Sequence, residues 1–374
     1  MARPVPADPT LDPDDRLYAG ADQPAHRGFR IAAVTVAGRS HPVAVEIRAT
    51  APHHRLLRFR ARGLRPKGEV LLVPPISGTF PVLMRDVVVG LLPDFRVHVL
   101  DWTNPRHVPL AAGPFGFAGN IDAILAAEAA MPPGSAILGL CQAGVPALAA
   151  AALMAAGRDR PPPGALVLMG APVDPDAAPT PVAAAVRAHS PAWDRRFLIW
   201  PVHAPHAGQG RLVHPAWMQL AAIRTYLANR RHAGGEIARK LDHDDGSDPV
   251  AAPFLDLCTS VMDIDAQHFC ENLDLVFRRP QLPAGGLSHH GRRVDPAAIR
   301  TTALMTVEGG ADDIAAPGQT AAAHGLCPGL PEGLRARLVD PGSGHFSLFH
   351  GARWRDILRR EVRDFLIRHA ARRT

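Results

Sequence analysis

Lysine is almost absent from this sequence. Of the 41 lysine and arginine residues, only Lys67 and Lys240 are lysines, and the arginines are spread along the chain among acidic residues. The formal net charge of +6 and the isoelectric point of about 9.7 would on their own fit a nucleic-acid-binding protein. However, the sequence contains no lysine-rich tract and no nucleic-acid-binding motif. We therefore expect no nucleic-acid partner.

Cysteine is also scarce, and no two cysteines are spaced as a CxxC pair. This pattern argues against a disulfide scaffold and against a zinc site. The 19 histidines are scattered without ligand spacing, and we interpret the following ones as residues outside any metal site: His203, His206, His214, His268, His289 and His290. The sequence therefore predicts no metal and no cofactor. The four cysteines are Cys141, Cys258, Cys270 and Cys327.

Long apolar runs are missing as well. No stretch approaches the 18 uninterrupted apolar residues typical of a membrane-spanning helix. The first residues, MARPVPADPTLDPDDRLYAG, carry charges and prolines where a secretory signal would need an apolar run. We expect a cytoplasmic protein without a membrane span. Its oligomeric state is left open, and a homo-oligomer is compatible with the sequence.

Short apolar strands alternating with helices dominate what the sequence does contain. Residues 1–28 are polar and rich in proline and aspartate, which predicts a loosely packed arm. The alternation runs through 29–171, lapses in 172–299, where the pattern is mostly helical, and returns in 300–374. Such alternation indicates a doubly wound, mostly parallel α/β sheet covered on both faces. We expect the first and last of these parts to form the core, with 172–299 inserted as a lid. The predicted strands include 70–73, 97–102, 136–140, 165–170 and 303–308.

One of the cysteines lies in the stretch LGLCQAGVPAL, at the end of a predicted strand and before a predicted helix. A nucleophile elbow is a sharp strand-to-helix turn that presents a Ser or Cys, and its neighbours must be small. Gly139, Ala143 and Gly144 meet that need around Cys141. The helix N-terminus that follows would favour the thiolate. The alternative is a buried cysteine of the core.

An elbow enzyme also needs an acid and a histidine later in the chain, in that order. After the strand at 303–308 come two glycines and then Asp312, and Asp313 is its rival because pattern alone cannot separate adjacent positions. His345 lies on a glycine-rich loop before the last helix. The pattern predicts that His345, oriented by Asp312, deprotonates Cys141 for attack on an ester carbonyl.

The resulting oxyanion would need two backbone N–H donors. We expect one from Gln142, the residue after the nucleophile, and the other from Ile76 or Ser77, on the loop after an early strand. Ser77-Gly78 is equally compatible with a plain turn.

Five long stretches resemble the intracellular polyhydroxybutyrate depolymerases, and the resemblance covers most of the chain from about Arg30 onward. That family implies an α/β-hydrolase fold, a Cys-Asp-His triad that falls on Cys141, Asp312 and His345, a polyester granule as substrate, and no metal. The chain departs from the family's usual proline after the Cys-Gln pair. The stretches are VPPISGTFPVLMRDVVVGLLPDFRVHVLDWTNPRHVPL, CQAGVPALAAAALM, FLIWPVHAPHAGQGRLVHPAWMQL, ALMTVEGGADDIAAPGQTAAAHGLC and PGSGHFSLFHGARWRDILRREVRDFL.

With such a substrate, 172–299 would form an apolar, partly mobile cover over the cysteine. Trp193, Trp200 and Trp217 are the candidate substrate-binding residues. Three alternatives remain open: a polyester synthase-like acyltransferase, a granule-binding protein without activity, and a general thioesterase or lipase. The elbow lacks the paired glycines of the synthases.

Overall fold

The computed structural model describes residues 28–157, 160–243, 246 and 254–370. The predicted N-terminal arm at residues 1–28 lies outside this part of the chain, apart from Gly28. None of the helices in the described ranges is long and apolar enough to cross a lipid bilayer.

A nine-stranded sheet forms the centre of the protein. Its strands are β1 (Ala33–Val36), β2 (Arg39–Ala51), β3 (His54–Ala61), β4 (Gly68–Val73), β5 (Phe95–Trp102), β6 (Ala136–Leu140), β7 (Ala165–Met169), β13 (Ala303–Gly309) and β14 (Arg335–Asp340). They lie in the order β1-β2-β3-β5-β4-β6-β7-β13-β14. The pairs up to β3–β5 are antiparallel and the remaining pairs are parallel. This order confirms the predicted α/β-hydrolase fold.

Helices cover both faces because the chain reverses direction along the sheet after β5. The step from β4 to β5 and the step from β5 to β6 run in opposite directions, so right-handed crossovers place their helices on opposite faces. The strands β4, β6, β7 and β13 are therefore buried along their whole length, which explains their continuous apolar runs. The covering helices are α1 (Arg85–Leu91), α2 (Phe117–Ala129), α3 (Gly144–Ala156), α10 (Ala323–Leu326), α11 (Gly351–Arg353) and α12 (Arg359–Ala370).

In the segment between β7 and β13, residues 170–302, the described residues add no strand to the main sheet, and helices are the main regular element, as expected. We call residues 170–302 the β7–β13 segment. Its helices are α4 (Pro181–Arg187), α5 (Pro191–Phe197), α6 (Ala216–Ala233), α7 (Glu236–Asp242), α8 (Phe254–Thr259) and α9 (Ala266–Asn272). It also holds a three-stranded sheet and a hairpin, formed by β8 (Trp200–Pro201), β9 (Leu212–His214), β10 (Ile264–Asp265), β11 (Ser288–His289) and β12 (Arg292–Arg293).

Two buried arginines join the β7–β13 segment to the loop after β5. Arg211 pairs with Asp265 at 2.9 Å and also donates to three backbone carbonyls of that loop, at Val108, Pro109 and Gly113. Within the loop itself, Arg106 donates to both carboxylate oxygens of Asp263, at 3.1 and 3.2 Å. Because these buried charges are paired and hydrogen-bonded, they hold this part of the β7–β13 segment against the loop after β5.

Candidate active site

Cys141 lies at the sharp turn between β6 and α3. Its φ of 50° is in the left-handed region, which a non-glycine residue adopts only at a backbone cost. The turn Cys141–Ala143 leads directly into α3. The residue is buried with 8% of its surface exposed. This is the geometry predicted for a nucleophile elbow.

The small neighbours of the elbow are required by close packing. A Cβ on Gly139 would lie 2.8 Å from Cβ of Ala147, and a Cβ on Gly144 would lie 2.3 Å from Cβ of Ala171. Both distances are far below an ordinary carbon–carbon contact. The glycines therefore let β6, α3 and the turn after β7 approach one another.

Asp312 and His345 meet at the carboxyl ends of β13 and β14. The Nδ1–H of His345 donates to Oδ2 of Asp312 at 2.7 Å, and both side chains are buried. The other oxygen of Asp312 accepts from the backbone N–H groups of Ile314 and Ala315 at 2.8 and 2.9 Å. The carboxylate is therefore fixed on one side by its own turn and orients the imidazole on the other.

Cys141 and Asp312 are the two groups that raise the pKa of this imidazole. Burial alone would lower the pKa of His345, but the charges of Asp312 and Cys141 and the hydrogen bonds to them outweigh it. The pKa of His345 is raised well above its ordinary value. The three side chains predicted from the sequence thus lie in one contiguous cluster.

Asp313 points away from the histidine and contacts α6. Its Oδ1 accepts from the hydroxyl of Tyr226 at 3.1 Å, and its Oδ2 pairs with Arg230. The carboxylate bonded to the imidazole is therefore that of Asp312, and Asp313 connects the same turn to the β7–β13 segment.

The predicted oxyanion residues lie after two adjacent strands. Gln142 follows β6, while Ile76 and Ser77 follow β4, which pairs with β6 in parallel up to Val73 and Gly139. The carboxyl ends of parallel neighbours meet at one edge of a sheet, so both groups lie at the edge that holds Cys141.

Contacts between this edge and the β7–β13 segment were not anticipated from the sequence. The side-chain amide of Asn272 donates to Oε1 of Gln142 at 3.1 Å. Backbone bonds join Gly78 to Met262 and Phe80 to Ser260, at 2.7 and 2.9 Å. The paired residues are at least 130 positions apart in the sequence, so no local sequence signal could have identified these contacts.

Aromatic side chains and a glycine enclose the imidazole of His345. The rings of Phe346 and Phe349 lie nearly perpendicular to it, with centroids 5.8 and 5.6 Å away. A Cβ on Gly170, whose φ is 55°, would lie 3.2 Å from the imidazole Cε1. The histidine is thus held by packing as well as by its hydrogen bond to Asp312.

The three predicted substrate-binding tryptophans lie on the β7–β13 segment but not in one cluster. Trp200 and Trp217 have ring centroids 6.3 Å apart and are 47% and 54% exposed. Trp193 is half-buried and stacks on His189 with centroids 3.8 Å apart. Phe269 of α9 stacks on His214 with ring centroids 4.0 Å apart.

Residues 170–370 match the family model described as "PHB de-polymerase C-terminus", which is just over half of the 374 residues. The chain belongs to the PHB depolymerase family. It is a carboxylic ester hydrolase, as the resemblance implied.

The family match covers the last two predicted triad positions and the whole β7–β13 segment. A search of curated proteins finds no match to this PHB depolymerase family member. Similar solved structures include a hydrolase from Pseudomonas aeruginosa PA01, with 18% identity over 86% of this chain and 98% of that chain and a TM-score of 0.48. A thermophilic esterase from Thermogutta terrifontis has 15% identity over 90% and 97% and a TM-score of 0.49. An alpha/beta hydrolase fold protein from Nakamurella multipartita has 17% identity over 87% and 99% and a TM-score of 0.43.

Proposed function

We propose that this protein hydrolyses the ester bonds of poly(3-hydroxybutyrate) or a related polyhydroxyalkanoate stored inside the cell, and that Cys141, His345 and Asp312 carry out the reaction. The observation that supports it most directly is the buried imidazole of His345, which is hydrogen-bonded to Asp312 and whose pKa is raised by both Asp312 and Cys141. The products would be hydroxyacid monomers or short oligomers.

In the first step, Nε2 of His345 takes the proton of the Cys141 thiol, and the sulfur attacks the ester carbonyl carbon. The hydrogen bond from Nδ1 to Asp312 leaves Nε2 as the nitrogen that faces the thiol. The imidazolium then donates its proton to the leaving alkoxide as the carbon–oxygen bond breaks, which gives a thioester. Water, deprotonated by His345, hydrolyses this thioester and regenerates the thiol.

Each tetrahedral intermediate carries a negative oxygen, which the backbone N–H of Gln142 and that of Ile76 or Ser77 would stabilise. The hydrogen bond from Asn272 to the Gln142 side chain and the backbone bond from Met262 to Gly78 support this role, because they hold both parts of the edge in place. Preorganised donors of this kind contribute roughly 3 kcal/mol each to transition-state stabilisation.

We further propose that 29–171 and 300–374 form the catalytic core and that 172–299 acts as a lid that delivers an insoluble polymer to Cys141. Trp200 and Trp217 support this role, because large apolar side chains half exposed to solvent are suited to a polyester surface. In this proposal the protein acts in the cytoplasm, at the granule surface.

Incubation of the purified protein with amorphous poly(3-hydroxybutyrate) granules tests the proposal. We expect soluble hydroxybutyrate or its oligomers to appear, and to disappear in Cys141→Ala and His345→Ala. Cys270→Ala is the matched control, because Cys270 is as buried as Cys141 but lies on α9. Release that is unchanged in Cys141→Ala would refute the mechanism. Polymer formation from 3-hydroxybutyryl-CoA would identify a synthase instead, and granule binding without product release would identify a binding protein.

A further inference from the structure

Two adjacent histidines at the tip of a hairpin converge on one carboxylate of α2. Nε2 of His289 lies 2.8 Å from Oδ1 of Asp122, and Nε2 of His290 lies 2.8 Å from Oδ2 of the same carboxylate. One ligand atom from each of the three residues lies within 4.8 Å of the others. Two side chains from neighbouring positions thus point to the same place from a hairpin whose register pairs His289 with Arg292.

The backbone at this hairpin tip favours a residue other than histidine. His290 and Gly291 form the two-residue turn between β11 and β12, and both have positive φ, 47° and 76°. Turns of this kind prefer Asn or Gly at the first position, because the left-handed backbone conformation is higher in energy for most other residues. Histidine at this position costs backbone energy and places a second imidazole beside Asp122.

Two imidazole nitrogens and a carboxylate oxygen are a donor set that suits zinc and neighbouring divalent transition metals. The side chains of His290 and Asp122 are 64% and 47% exposed, whereas that of His289 is 9% exposed. The cluster is therefore open to solvent on one side, so water could fill the remaining coordination positions. We propose that Asp122, His289 and His290 form a binding site for a divalent transition-metal ion, of which zinc is the representative.

The surroundings of the cluster set its expected affinity. His289 lines a cavity of about 220 Å³ together with Arg160 and Arg292. Two positive charges nearby oppose a cation, and among the described residues three side chains offer a ligand atom. The site should bind zinc more weakly than a closed four-ligand structural site does.

The position of the cluster indicates a structural role that is separate from ester hydrolysis. The cavity also touches Met154 and Gly157 at the C-terminal end of α3, whereas Cys141 precedes its N-terminal end. A helix of 13 residues is about 20 Å long, so the ion would lie far from the thiol. It would instead join the hairpin of the β7–β13 segment to α2. Sequence spacing could not reveal the site, because His289 lies 167 positions from Asp122.

Titration of metal-free protein with zinc by calorimetry, and with cobalt by visible absorption, tests the site. We expect saturable binding of one ion and a rise in melting temperature with zinc. His290→Asn is the decisive variant, because asparagine suits the turn but cannot complete the donor set. It should keep or raise the melting temperature of the metal-free protein, and should weaken zinc binding at least about tenfold. Asp122→Asn should weaken it similarly.

His232→Ala, which removes an exposed histidine of α6, is the control and should bind zinc as the wild type does. The same titration on Cys141→Ala separates this site from any zinc held by the thiol and imidazole of the catalytic cluster. The proposal is overturned if the wild type shows no saturable binding. It is equally overturned if His290→Asn binds zinc as tightly as the wild type, or if binding disappears in Cys141→Ala.

Discussion

At the scale of single residues, the turn after β13 carries two carboxylates with different surroundings. Asp312 accepts hydrogen bonds from the backbone N–H groups of the following turn and from His345, whereas Asp313 bonds to Tyr226 and Arg230 of α6. The two residues are adjacent in the chain, so the position of the proposed catalytic acid Asp312 is coupled to the β7–β13 segment through Asp313.

Asparagine substitutions distinguish the two carboxylates. Asp312→Asn should lower kcat by about 10³-fold or more, because an amide cannot stabilise the imidazolium and also favours the wrong tautomer. Asp313→Asn should lower kcat less than about tenfold and act mainly through KM. Steady-state kinetics on a short ester measures both variants. Similar losses of kcat in the two variants would contradict the assignment of the acid.

The close packing of the elbow gives a second prediction. Gly144→Ala should destabilise the protein by about 1–3 kcal/mol, because the new methyl group would overlap Ala171. Gly325→Ala, in α10, is the control because a Cβ there meets nothing within 4 Å. Urea denaturation measures both variants, and equal stabilities would show that the elbow tolerates a larger residue.

At the scale of secondary-structure elements, a buried carboxyl group of α2 makes the stability of the fold depend on pH. Glu128, near the C-terminal end of α2, is buried and accepts a hydrogen bond from the hydroxyl of Ser135 at 2.8 Å. Burial raises its pKa to about 7, although the Ser135 bond and Arg160 lower it. The unfolded chain releases this proton near pH 4.5, so the folded state loses stability as the pH rises from there to about 7.

Glu128→Gln should remove that pH dependence, because the amide keeps the shape without the charge. We expect the variant to gain stability relative to the wild type between pH 5 and 8, by up to about 3 kcal/mol. Denaturation at both pH values measures the gain, and Glu332→Gln, at an exposed side chain, is the control. If the free energies of unfolding of Glu128→Gln and the wild type differed by the same amount at pH 5 and at pH 8, the prediction would be contradicted.

The main-sheet strands could be predicted because they are buried on both faces and therefore apolar throughout, as β6 and β13 show. The elbow and the histidine loop were recognisable because turn geometry demands glycine next to the functional residue. By contrast, β8 to β12 have only two or three residues each, too few for any periodicity to be visible. The partners of Asp313 and Gln142 could not be predicted either, since the contacts depend on how the β7–β13 segment packs.

At the scale of the whole molecule, the β7–β13 segment contacts the sheet edge that holds Cys141 and also carries side chains exposed to solvent. Gln219 of α6 lies against Gly78 of the proposed oxyanion loop, and Trp217 is two positions before it in the same helix. Trp217 is therefore close in sequence to a residue that contacts the edge of the sheet, and its ring lies beside that of Trp200. Such an arrangement would allow a polymer bound at the tryptophans to reach the proposed nucleophile Cys141.

The double substitution Trp200→Ala with Trp217→Ala should weaken binding to polyester granules at least about tenfold, because it removes apolar area of two large rings. Granule hydrolysis should fall in the same proportion, with an unchanged melting temperature. Ile47→Ala is the control, since Ile47 is 47% exposed but lies on β2. Sedimentation with granules measures binding, and unchanged partitioning would exclude this surface as the docking site.

The pairing of β7 with β13 also has a consequence for synthesis on the ribosome. The buried, apolar edge of β7 is complete before residues 170–302 have been translated, and its partner strand follows only afterwards. At typical translation rates this delay is roughly seven to thirty seconds. During that interval the nascent chain exposes an unsatisfied strand edge to other nascent chains, so its yield in the cell should depend on chaperone capacity more than its final stability suggests.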